Sequence, residues 1–118
     1  MEDFSIGSQT LTANTAVTKL AGDMDAHAFD LLEDEFSKLL ESGVNGVVLD
    51  LSGLDSMSSS AVGAVVNMDR LLAGRGGKLV AAAVRPKVMG LLEMLGLGET
   101  LTFADNAEAA KKIVSSIK

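Results

Sequence analysis

Two short apolar runs constrain this chain more than any other feature. "VVLDL" at Val47–Leu51 and "KLVAAAV" at Lys78–Val84 are β-branched and aliphatic, the composition of strands buried on both faces. Each run lies between helical stripes. Phe29, Leu32, Phe36, Leu39 and Leu40 precede the first, Ala61, Val65, Met68 and Leu72 separate the two, and Val88, Leu91, Leu92 and Leu95 follow the second. Strands alternating with amphipathic helices imply parallel neighbours joined by right-handed crossovers.

The ends of the chain complete the pattern. Phe4–Thr10 and Ala16–Ala21 read as a hairpin around Thr12, Ala13 and Asn14. "GDMDAH" turns into the first helix and Gly43 ends it. Pro86 suits the first turn of the third helix, and Gly96 ends that one. Leu101–Ala104 reads as a last strand. Asp105 or Asn106 caps a final helix, with Asp105 and Glu108 at capping-box spacing and Ala110, Ile113, Val114 and Ile117 on its inner face. The expected order is ββαβαβαβα: one α/β domain over residues 1–118, with a mixed sheet of about five strands and four helices.

Composition narrows the function. With aromatics at 3% and no Trp or Tyr, the core is aliphatic, and Met57, Met89 and Met94 are expected to fill gaps in it. Absence of cysteine excludes disulfides and thiolate chemistry. A net charge of −6 opposes nucleic acid and anionic membrane surfaces and suits a basic protein partner. The N-terminal segment lacks the pattern of a signal peptide, and no apolar run reaches the roughly 18 residues of a membrane span. The expectation is a cytoplasmic protein with no cofactor.

The conspicuous motif is "SMSSSAVG" at Ser56–Gly63, where the first buried strand hands over to a helix. In open α/β sheets the carboxyl ends of strands present functional groups. A serine nucleophile needs a base. The single histidine, His27, has no spacing that ties it to Ser60, and no nucleophile elbow surrounds the serines, so a small hydrolase is the remote reading. Asp23 and Asp25 lack the further carboxylates of a metal loop and read as a turn residue and a helix cap. The glycines of "AGRGGK" run from helix to strand, the reverse of a phosphate loop.

Ser58 or Ser59 serves as a helix cap, but a cap needs one serine rather than a run. The run suits phosphorylation, because free amides and the helix dipole at such a terminus tolerate an added anion. Val62 and Val66, beside the inward stripe, are expected to leave a small apolar docking patch near the tip.

At these residues the chain resembles the STAS domain family, specifically bacterial anti-sigma factor antagonists. "VVLDLSGLDSMSSSAVGAVV" is similar to the family's strand ending D-L-S, followed by D-S-S-G-L-G and a helix. "LAGDMDAHAFDLLEDEFSKLL" resembles its G-x-L-D turn and first helix, and "GGKLVAAAVRPKVMGLLEMLGLGETLTFADNAEAAKKI" its later elements. The resemblance implies a STAS-type fold and a non-enzymatic partner switch. Such an antagonist binds an anti-sigma factor that is also a serine kinase, leaves it when phosphorylated, and is reset by a serine phosphatase. Carried over, Ser60 is the phosphoacceptor, with Ser59 and Ser58 as alternates. Asp23, Asp25, His27, Ser56, Met57, Ser58, Ser59, Ala61, Val62 and Val66 are the partner-binding residues, and the free protein is a monomer. Ser58 stands where the family has aspartate, and Ala61 where it has glycine. Those departures favour a second reading, a constitutive scaffold or subunit of a signalling or lipid-transport complex.

Overall fold

The computed structural model describes residues 3–116. Its elements are β1 (Ser5–Thr12), β2 (Thr15–Met24), α1 (Ala26–Glu41), β3 (Gly46–Met57), α2 (Ser59–Ala73), β4 (Lys78–Ala82), α3 (Pro86–Met94), β5 (Thr102–Ala104) and α4 (Ala107–Ser115). This is the expected order. The five strands lie side by side in chain order, β1 antiparallel to β2 and every later pair parallel.

Alternation along the central strands sorts the helices into two layers. Val47, Leu49 and Leu51 of β3 and Leu79 and Ala81 of β4 join one core with α1, α2 and α3. Val48, Val80 and Ala82 point the other way and meet Ala110 and Val114 of α4. Successive side chains on a strand face opposite sides, so stretches buried on both faces, Val47–Leu49 and Leu79–Ala82, are apolar at every position, while Asp50 and Lys78 are only partly buried. That is what the two runs encode. Among the described residues, no helix is long and apolar enough to cross a membrane.

The helical stripes hold with two corrections. Leu32, Phe36 and Leu39 of α1 are buried as read, as are Ala61, Val65, Met68 and Leu72 of α2. In α3 only Val88 and Leu92 are fully enclosed, while Leu95 is 45% exposed and Met94 81%. Met94 follows buried Leu92 by two residues and so lies on the far face of the helix, and it does not fill a gap in the core. On α4, Asn106 supplies the cap by accepting from the Ala109 amide at 2.8 Å. Glu108 turns to Lys111 instead of back toward the cap, so the Asp105 capping box does not form. Ile117 lies outside the described residues.

Two close approaches fix the end of the sheet remote from the serines. Gly43, at φ +89°, ends α1 in the left-handed conformation that a side chain disfavours. Arg75 then donates to the carbonyls of Leu40 and Val44 at 2.8 and 3.2 Å, tying the segment after α2 to the end of α1 and the loop that follows it. Gly77 passes so near the β3 entry that a Cβ there would stand 1.7 Å from the Asn45 carbonyl oxygen. Gly77→Ala is therefore expected to destabilise the fold by about 2 kcal/mol or more in urea denaturation. Gly90→Ala, in α3 with open space around it, is expected to stabilise by about 0.5–1 kcal/mol.

Candidate functional site

Parallel pairing of β2, β3 and β4 brings their carboxyl ends to one edge of the sheet. Asp23 is the register partner of Ser56, and Met24 of Met57. The Ser56 hydroxyl donates to Asp23 Oδ1 at 2.8 Å, and the Ser58 amide donates to the Met24 carbonyl at 3.1 Å. Asp23, read from sequence as a turn residue, is still a strand residue of β2, and this β2 end and the serine tip, far apart in sequence, thus form one surface. Asp25 caps α1 by accepting from the Ala28 amide at 3.0 Å. Asp3, Phe4, Asp23, Asp25, His27, Ala28 and Leu31 line an open depression of about 430 Å³ beside it.

Within the tip the serines divide their tasks. Ser58, extended at ψ 159°, is the cap of α2: its hydroxyl accepts from the Ala61 amide at 3.2 Å. The Ser60 hydroxyl lies 3.2 Å from the Ser58 hydroxyl, and the Ser59 and Ser60 side chains face solvent. His27 is exposed and makes no hydrogen bond to Ser60, so the serine–base contact of a hydrolase is not formed. Among the described residues no group of three or more His, Asp or Glu could hold a metal ion.

The rest of the expected contact set separates by burial. Ala61 and Val62 are 0% and 2% exposed and Met57 is 8%, so their side chains pack beneath the tip. Val66 is half-buried against the same core. Val62 therefore contributes nothing to an apolar patch at the surface, since the first turn of α2 lies close to the sheet, whereas Val66, a turn further on, keeps part of its surface exposed.

A third segment, absent from the sequence reading, joins this edge. Ala83 leaves β4 at φ +55°, a left-handed turn uncommon for alanine, and its amide donates to the Ala104 carbonyl at 3.1 Å. The chain then returns beneath β3. Arg85 Nε donates to the Ser52 carbonyl at 2.8 Å, and Nη1 pairs with Asp55 Oδ1. Ser56, Met57, Lys87, Val88 and Leu91 enclose a mostly apolar groove of about 240 Å³. One clue to Arg85 was present: it precedes Pro86 at a helix start but has no serine-like side chain to cap that helix.

Comparison with known proteins agrees with this fold. A family model described as "Mlab, STAS domain" matches residues 8–103. The chain is 29% identical over 91 residues to an anti-sigma F factor antagonist of Paenibacillus polymyxa, covering 76% of this chain and 78% of that one. The anti-sigma factor antagonist SpoIIAA in its unphosphorylated form superposes with a TM-score of 0.81 at 24% identity, over 97% of this chain and 100% of the other. The Bacillus cell fate determinant SpoIIAA in its phosphorylated form gives 0.74 at 24%, over 92% and 99%.

The division of labour among the serines has a stability signature. Ser58→Ala removes the cap and is expected to cost about 1 kcal/mol. Ser59→Ala and Ser60→Ala, at exposed positions, should stay within about 0.5 kcal/mol of the parent. Urea denaturation of the three single variants measures the contrast.

Proposed function

The chain belongs to the STAS domain family, and on that premise we propose that it is an anti-sigma factor antagonist that works by partner switching. The observation that carries this reading is the joined surface of the 23–27 turn and the serine tip, with Ser60 exposed on a helix terminus. The unphosphorylated protein, a cytoplasmic monomer when free, docks this surface on an anti-sigma factor that is also a serine kinase. Asp23, Asp25 and His27 form one side of the contact, and Ser56, Ser58 and Ser59 the other.

Ser60 is the acceptor by its match to the family motif, with Ser59, equally exposed, as the alternate, while Ser58 is committed to the cap. Phosphorylation adds about 1.5–2 negative charges next to a surface already carrying Asp23 and Asp25. The free amides of α2 tolerate that charge, so the domain stays folded while the interface changes. One charge contact at about 4 Å and an effective dielectric of 20 is worth about 4 kcal/mol. Half of that shifts affinity roughly thirtyfold, enough to release the partner, and a serine phosphatase restores the docking form.

Ser58 and Ala61 in place of the family's aspartate and glycine favour a second reading, a constitutive subunit of a signalling or lipid-transport assembly. One experiment separates the two. Tagged protein is incubated with lysate of the source organism with and without ATP, and phosphosites and retained proteins are mapped. The switch predicts a phosphoserine at position 60, loss of the partner with ATP, and weakened binding of Ser60→Asp by at least about tenfold. Unmodified serines with an ATP-independent partner would instead establish the constitutive subunit.

A further inference from the structure

The far end of β3 carries the serine tip, yet half of that strand has no strand neighbour on one side. Pairing with β4 runs from Gly46 to Asp50 and stops, because β4 ends at Ala82. Residues 51–57 continue as an overhang paired to β2 alone, through a register that breaks twice. Leu51 and Ser52 stand opposite Leu20 alone, and Asp55 falls between the Gly22–Leu54 and Asp23–Ser56 pairs. Bulges of this kind leave backbone groups unpaired and bend the strand.

Side chains reach both irregular points. The Ser52 amide is taken by Asp50 Oδ1 at 3.0 Å, and its carbonyl by Arg85 Nε at 2.8 Å. The same guanidinium pairs with Asp55, the extra residue of the second break. Arg85 reaches this place because Ala83 turns at positive φ and Pro86 starts α3 directly behind it. A planar fork suits this task, since one group satisfies a carbonyl and a carboxylate at the same time.

We infer that Arg85 and Asp55 are positioning residues for the serine tip: the guanidinium replaces the missing β4 neighbour of the β3 overhang and so fixes where Ser58–Ser60 stand. The value of that placement rests on the function proposed above; the latch itself does not. A half-exposed ion pair adds little to global stability. Its effect is local, on a segment anchored otherwise by β2 and by Val88 and Leu91 of α3.

Amide hydrogen exchange on the full-length protein tests the latch without any partner. Arg85→Gln and Asp55→Asn are each expected to speed exchange across residues 52–60 roughly three- to tenfold. Exchange in 32–39 and 79–82, and the melting temperature, should stay near the parent's. The double variant should add little to Arg85→Gln, which already removes both the carbonyl and the carboxylate contact. Arg85→Lys, which keeps the charge but loses the fork, should recover only part of the protection. Unchanged exchange at 52–60, acceleration spread evenly over the protein, or additive effects in the double variant would overturn the inference. Each of those results leaves the phosphorylation experiment untouched, whereas an ATP-insensitive partner beside an intact latch would count against the function alone.

Discussion

The long parallel pairing of β2 with β3 is the constraint on which the rest of this structure depends. It runs from Thr15 opposite Gly46 to Met24 opposite Met57 and spans the whole molecule. At one end it sets the entry of β3, where Asn45 and Gly46 donate to the Asn14 carbonyl and Lys78 begins β4. At the other it carries the aspartate turn and the serine tip to the same edge. Parallel strands deliver their carboxyl ends in one direction, so a site at that edge follows from connectivity before any particular side chain is considered.

The energetic logic differs between the two ends. The entry end is tight: Gly77 has no room for a methyl group, and Arg75 ties back to the end of α1. The tip end is built from hydrogen bonds at half-exposed positions, namely Ser56 to Asp23, Ser58 to the Ala61 amide and Arg85 to Ser52. Each such bond contributes of the order of 1 kcal/mol net. Under the proposed switch, the added charge falls on this polar layer, while the apolar support lies one layer below in Met57, Ala61 and Val62. Regulation by a small chemical change is practical where the exchangeable bonds are polar and the supporting core is not.

Burial accounts for what the residues foretold well and poorly. Val47–Leu51 and Lys78–Val84 read as interior strands from their apolar composition. In fact β4 stops at Ala82, where Ala83 turns at positive φ, and β3 runs on to Met57 through residues read as a turn. Val62 was harder to place. Its position beside the inward stripe suited either a flank or a core residue, and only the close seating of α2 on the sheet resolved it as 2% exposed. Met94 erred in the other direction, since helical phase turns it away from the face that buries Val88 and Leu92. Asp105 and Asn106 had equal standing as caps until backbone geometry selected Asn106.

By itself the sequence determined the order of elements, the buried strands, the helix stripes and the serine run at a strand-to-helix turn. Each of these is local, fixed by periodicity, capping chemistry and glycine within a short window. Tertiary structure alone decided that Asp23 meets Ser56, that Ser58 rather than Ser59 is the cap, and that Arg85 supports the tip. Those contacts join residues far apart in the chain or depend on one backbone dihedral. Their partners are set by strand register and by where β4 stops, which no local pattern records.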